Sequence, residues 1–152
     1  MSWVGVRIGA LNLLAPVAEV AEVLHLPACT PVPLTLPWFR GLHNVRGTLY
    51  SVIDLPALFG FAPVALTPEA RVLLLAPSRM RNTALLVNRL AGMHANANLV
   101  QTDRPAALTQ PALGRSWLDG DQVPWHELDL AALVSLPEFL DVAAAPPLGA
   151  HP

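Results

Sequence analysis

Alternating apolar and polar positions at the start of the chain predict a β-hairpin. Val4, Val6 and Ile8 alternate with two glycines and an arginine, a period of two that is typical of a half-buried strand. Residues 9–10 provide a turn, and the mostly apolar residues 11–14 predict the returning strand. The chain is therefore expected to open with two antiparallel strands.

The next segment carries two overlapping patterns. Pro16 is suited to the first turn of a helix, and Val17, Val20 and Leu24 would share one helical face. From Val20 onward the same residues also alternate as they would in a strand. We therefore expect a short helical turn followed by a strand.

Prolines punctuate the middle of the chain. Their density between Pro27 and Pro37 excludes a long helix and favours an edge strand or an extended connection. Residues 49–55 are nearly all apolar, which predicts a strand buried on both faces. The segment 61–68 contains further prolines and is interpreted as a connector.

The second half of the chain has a similar organisation. Apolar runs at 72–75 and 84–87 predict another hairpin, and the Asp-Gly pair at 119–120 predicts a third with a two-residue turn. Asp129 can cap a helix, and Pro137 can start a further helical turn.

These elements together predict a mainly β fold. The strands are short, and the helical segments are too short to cross over a parallel sheet, which favours small barrels or a sandwich. The chain has 152 residues, enough for one domain with its own core. Its two hairpin-rich halves suit two subdomains, about 1–60 and 70–142, followed by a disordered tail at 143–152.

Composition bears on partners and compartment. Hydrophobic residues make up 53% of the chain and charged residues 13%, which predicts an apolar surface that partners cover. A net charge of -2 and the absence of lysine argue against nucleic acid as a partner. Cys29 is the single cysteine, and no segment approaches the roughly 18 consecutive apolar residues of a membrane span. We expect a cytoplasmic protein that does not insert into a membrane.

No motif for catalysis, cofactor binding or metal binding is evident. The sequence has no phosphate-binding glycine loop and no G-x-S-x-G hydrolase motif. Its five histidines are scattered singly, and there is no second cysteine to complete a zinc site. We therefore expect no catalytic, cofactor or metal residues, although an enzyme with a dispersed site is an alternative.

A set of motifs in the first half resembles a known family. In chain order the motifs are Val20-x-Glu22-Val23, Thr30-Pro31-Val32-Pro33, Pro37-Trp38-Phe39-Arg40-Gly41, Asn44-Val45-Arg46-Gly47 and Ser51-Val52-Ile53-Asp54-Leu55. Together they resemble the signature region of the CheW family of chemotaxis coupling proteins. Toward the end of the chain, 125–130 and 137–140 resemble the family members of twitching-motility systems.

The resemblance implies both a fold and a function. The implied fold is two SH3-like five-stranded β-barrels that share a hydrophobic core, with short helices. The implied function is that of a non-enzymatic adaptor, which binds the regulatory domain of a CheA-type histidine kinase and the cytoplasmic tip of a methyl-accepting chemoreceptor. The alternative is a small β-barrel protein-binding module outside chemotaxis.

The resemblance also suggests which residues contact partners. The candidates are Val20, Glu22, Trp38, Phe39, Gly41, Asn44, Val45, Arg46 and Gly47. Arg46 can either lock a turn by binding carbonyls or reach a carboxylate of a partner. Trp38 and Phe39 can be interface anchors or core residues. Val20 and Glu22 can be a buried and a solvent-facing strand residue, or a contact with the kinase.

Overall fold

The computed structural model describes residues 1–25, 37–65 and 67–139. Cys29 and the tail predicted to be disordered lie outside these residues. In the described ranges no helix combines the length and the apolar composition that crossing a bilayer requires.

Eleven strands and a few short helical segments make up the described part of the chain. The strands are β1 Ser2–Ile8, β2 Leu11–Pro16, β3 Val20–His25, β4 Phe39–Val45, β5 Thr48–Asp54, β6 Arg71–Leu75, β7 Thr83–Val87, β8 Arg89–Ala95, β9 Val100–Thr102, β10 Leu113–Leu118 and β11 Pro124–Leu128. The helices are α1 Leu55–Leu58 and α2 Leu130–Val134, with 3₁₀ turns at Val17–Glu19 and Asn96–Asn98. The mainly β prediction is confirmed.

One sheet has six strands, in the order β8-β1-β2-β11-β10-β9. The predicted opening hairpin is present, because β1 and β2 pair antiparallel with Ile8 opposite Leu11. The C-terminal strand β11 then pairs parallel to β2, with His126 opposite Leu13. This sheet therefore joins the two ends of the chain.

The other sheet has five strands, in the order β3-β6-β7-β5-β4. The predicted hairpin of β6 and β7 is present, and β5 lies parallel to β7. The helical turn expected after Pro16 is the 3₁₀ turn, and β3 follows it at once. Strands β3 and β4 are the two edge strands of this sheet. In a closed barrel the two edges of a sheet lie side by side.

The largest cluster of buried side chains lies between the two sheets. It takes Val6, Ile8 and Leu13 from the six-stranded sheet and packs them with side chains of the other, among them Leu73 and Leu85. Each fully buried side chain of this size contributes about 1.5–3 kcal/mol relative to an exposed one. The two sheets therefore share one core. Both draw strands from the chain on each side of residues 60–70, and the division into subdomains at that point stays a prediction.

Three local predictions need correction. The apolar run at 49–55 does form most of β5, but only its second half is buried, and Leu49 is 51% exposed. The reason is that β5 extends past β7, whose pairing with it begins at Ser51. Strands β8 and β9 were missed, because most of β8 is solvent-exposed and the run has no clear alternation.

The turn between β10 and β11 spans residues 119–123 and is longer than the two-residue turn that Asp-Gly predicted. Asp119 explains the difference: its Oδ1 accepts hydrogen bonds from the backbone N–H groups of Asp121 and Val123, at 2.8 and 3.0 Å. Its Oδ2 accepts one from Trp125 Nε1 at 3.0 Å. The bonds from Trp125 and from the backbone lower the pKa of the Asp119 carboxyl. The aspartate thus organises a longer loop.

A buried histidine on β11 makes stability depend on pH. His126 is 3% exposed, and its Nδ1 lies 2.7 Å from Ser116 Oγ in a hydrogen bond. Burial lowers the pKa of His126 from its usual 6.5, and the nearby charge of Arg104 lowers it further. The unfolded chain therefore takes up the proton more readily than the folded protein does.

The free energy of unfolding is expected to be constant above about pH 6.5 and to fall as the pH drops below it, by at most about 1.4 kcal/mol per pH unit. Denaturant unfolding of wild type and His126→Gln from pH 5 to pH 8 tests this. The decline should be shallower in the variant. Equal slopes in the two proteins would rule His126 out as the cause.

Candidate partner-binding site

The turn between β4 and β5 presents Arg46 to solvent. Val45 pairs with Thr48, so Arg46 and Gly47 are the two central residues of the turn. Both have positive φ, 49° and 88°, as in the type I′ turn that suits the twist of a hairpin. Asn44 stabilises the turn, because its Oδ1 accepts a hydrogen bond from Gly47 N at 2.9 Å. The Arg46 side chain is 69% exposed.

Arg46 forms a two-pronged ion pair with Glu22 on β3. Its Nη2 lies 2.5 Å from Glu22 Oε1, and its Nη1 lies 3.3 Å from Oε2. The hydrogen bond from Arg46 lowers the pKa of the Glu22 carboxyl and in turn raises that of the guanidinium. Since β3 and β4 are opposite edges of the five-stranded sheet, the ion pair joins one edge strand to the turn that follows the other.

The geometry bears on one of the two roles considered for Arg46, the locking of the turn; contact with a partner carboxylate stays a prediction. The hydrogen bonds that its guanidinium makes within the described residues go to Glu22 and not to turn carbonyls. The turn is held by Asn44 and by the conformational freedom of Gly47. Arg46 can thus be replaced without removing the bonds that hold the turn.

Sequence reasoning missed an ion pair at the opposite end of β4. Arg40 is the extra residue of a β-bulge, between Phe39 opposite Ile53 and Gly41 opposite Val52. The bulge directs Arg40 to Asp54, whose Oδ2 accepts from Arg40 Nη1 at 3.0 Å.

Asp54 is fully buried, and all its hydrogen bonds come from groups that shape this end of the sheet. Oδ2 also accepts from Val64 N at 2.9 Å, and Oδ1 accepts from Ala57 N at 3.0 Å, which caps α1. Both residues stand in the motifs that carried the family resemblance, but their partners are distant in sequence. The bulge in β4 is what brings the Arg40 side chain to the Asp54 carboxylate.

Trp38 lies beside this ion pair, next to a cavity of about 460 Å³. The cavity is lined by Trp38, Leu58, Phe59, Thr109, Gln110, Pro111, Leu136 and Glu138. Trp38 Nε1 is buried and has no hydrogen-bond partner among residues 1–25, 37–65 and 67–139. Phe39 is half-buried and packs against the core between the sheets. This end of β4 thus combines an aromatic side chain with an open depression whose lining is partly apolar and partly polar.

The nine candidate residues do not form one patch. Glu22, Asn44, Arg46 and Gly47 come together at the β4–β5 turn, whereas Trp38 and Phe39 lie at the other end of β4. Of the remaining three, Val45 and Gly41 are buried, Val45 in the core of the five-stranded sheet and Gly41 with φ 109°, whereas Val20 is partly buried and packs on the core between the sheets.

Titratable side chains elsewhere do not suggest chemistry. No three His, Cys, Asp or Glu side chains converge on a possible metal position within the part of the chain that is described. The Ser–His hydrogen bond between Ser116 and His126 is buried, at 1% and 3% exposure. A substrate therefore has no access to that pair.

The family model for the CheW-like domain matches residues 2–138, so the chain belongs to the CheW-like domain family. Protein PilI of Pseudomonas aeruginosa is 33% identical over 147 residues, which are 93% of this chain and 81% of that protein. The family resemblance seen in the motifs is confirmed.

A solved structure has the same fold. The scaffolding protein TtCheW from Thermoanaerobacter tengcongensis superimposes with a TM-score of 0.74, over 90% of this chain and 94% of that one. Sequence identity is 16%, so this likeness concerns the fold.

Proposed function

We propose that this protein is a cytoplasmic, non-enzymatic adaptor that couples the tip of a methyl-accepting chemoreceptor to the regulatory domain of a CheA-type histidine kinase. Membership of the CheW-like family supports a chemotaxis-type coupling role. The identity with PilI supports the finer proposal that the output is type IV pilus twitching motility. The protein would be recruited to membrane-bound receptor arrays by its partners.

The observation that carries this proposal is the spacing of the two surfaces on β4. Trp38 and Arg46 lie just outside the two ends of β4, Phe39–Val45, whose seven residues span roughly 20 Å when fully extended and less at the bulge. A protein that links two partners needs two surfaces that can be occupied together. A binding module outside chemotaxis would need only one of them.

We assign the kinase domain to the β4–β5 turn and the receptor tip to the cavity at Trp38. The turn presents a charged group on a rigid hairpin, which suits a contact between two folded domains. The cavity is concave, and its wall combines apolar side chains such as Leu58 and Leu136 with the polar Thr109, Gln110 and Glu138, which suits the insertion of side chains from a narrow helical hairpin.

Thr109→Trp is expected to block receptor binding and to leave kinase binding unchanged. Thr109 is an exposed residue of the cavity wall, so a tryptophan there fills the cavity without removing a buried side chain. Calorimetry with a receptor-tip peptide dimer and, separately, with the kinase regulatory domain measures both affinities. Thr67→Trp, at an exposed position away from the cavity, is the control.

Size-exclusion chromatography of all three components tests the coupling itself. Wild type is expected to elute with both partners in one complex, and Thr109→Trp with the kinase domain alone. Competition between receptor tip and kinase domain for wild type would contradict the assignment of separate surfaces. Failure to bind either at tens of micromolar, about 6–7 kcal/mol of binding, would overturn the adaptor function.

A further inference from the structure

Glu22 already accepts hydrogen bonds from the two guanidinium nitrogens of Arg46 that a carboxylate of a partner would bind. An arginine binds a carboxylate most strongly through two parallel N–H donors, and the Nη1 and Nη2 donors of Arg46 both point to Glu22. A carboxylate of a partner that approaches in the same way must take the place of Glu22.

The ion pair is also easy to open. The side chain of Arg46 is 69% exposed and that of Glu22 is 37% exposed, so water can solvate either group once they separate. Exposed pairs of this kind contribute little to stability. The turn does not depend on the pair, because Asn44 holds it.

We propose that Glu22 is an intramolecular competitor for Arg46, and that a carboxylate on the kinase domain binds by exchanging with it. This inference rests on the proposed function, since it concerns the surface assigned to the kinase. Exchange replaces one ion pair by another, so the number of ion pairs is the same before and after binding. Glu22 thereby weakens binding at this position and excludes partners that offer no carboxylate.

Glu22→Gln is expected to bind the kinase domain about two- to fivefold more tightly than wild type at low ionic strength, the gain that an exposed ion pair can supply. Glutamine keeps the length and one hydrogen-bond acceptor but no longer neutralises Arg46, so the partner forms a new ion pair. The gain should shrink in about 0.5 M salt, where exposed charges are screened. Calorimetry at two salt concentrations measures both effects.

Glu19→Gln is the matched control. Glu19 lies three residues earlier and forms the equivalent pair with Arg79, so the variant has the same change in net charge but leaves Arg46 paired. Its affinity is expected to equal that of wild type. In an Arg46→Asn background, Glu22→Gln is expected to have no effect.

The outcomes separate the exchange from the function on which it rests. Wild-type binding with unchanged or weaker binding by Glu22→Gln would keep the adaptor function and show that Glu22 positions Arg46 instead of competing for it. If Glu19→Gln gained as much affinity for the kinase domain, the change in net charge would explain the effect, and the exchange would be overturned. Absence of wild-type binding would remove the function itself.

Discussion

Replacing Asp54 with asparagine is expected to lower the free energy of unfolding by about 3 kcal/mol. Arg40, 26% exposed, loses its ionic partner, and each buried donor that loses its acceptor costs about 1–3 kcal/mol. The Asp54 carboxylate is fully buried and accepts from Arg40, Val64 and Ala57 on its two oxygens. An asparagine has one oxygen, so its NH₂ group must face a donor in either orientation.

Denaturant unfolding of Asp54→Asn against wild type measures the change. Asp103→Asn is the control, since this residue is exposed and the same substitution there is expected to stay within about 0.5 kcal/mol. If Asp54→Asn unfolded at the same denaturant concentration as the control, the buried network would not hold this end of β4 and β5.

Replacing Arg46 with asparagine is expected to weaken binding of the kinase domain about thirtyfold, the size of effect seen when an interface hot spot is removed. Asparagine tolerates positive φ and, before Gly47, is favoured in a type I′ turn. The melting temperature should therefore equal or exceed that of wild type. A loss of binding in this variant would therefore come from the missing guanidinium and not from a changed turn.

Thermal melting and calorimetry on the same preparations make this test. Arg46→Lys keeps the positive charge but lacks the two parallel N–H donors of the guanidinium, so it should recover only part of the affinity. Arg81→Asn, at another exposed turn arginine, is the control and should bind as wild type does. If Arg46→Asn bound the kinase domain with unchanged affinity, Arg46 would be an ordinary surface residue.

The fold class was predictable from local patterns because strands and turns leave local signals. The alternation at Val4, Val6 and Ile8 identified β1, and the cap at Asp129 identified α2. The hydrophobic pattern predicted burial wrongly where burial depends on strands that are distant in sequence. Leu49 belongs to an apolar run, yet it is exposed, because at that end β5 pairs with β4 alone and its pairing with β7 begins only at Ser51.

Pairing between distant strands could not be predicted, because hydrophobic periodicity says which face is buried but not which strand lies beside it. The parallel pairing of β2 with β11 brings the two ends of the chain together in one sheet. Likewise, the sequence showed Arg40 and Asp54 as motif residues, whereas their ion pair depends on a bulge that depends in turn on the register of β4 against β5.

By itself the sequence determined the mainly β class, the family, and the positions of Arg46 and Glu22 as candidates. These follow from residue identity and short sequence spacing, which do not depend on the tertiary structure. The tertiary structure alone decided that Arg46 and Glu22 form one ion pair and that Trp38 lies on a separate surface. The reason is that Glu22 and Arg46 belong to opposite edges of the five-stranded sheet, so the distance between them depends on the twist and curvature of all five strands together.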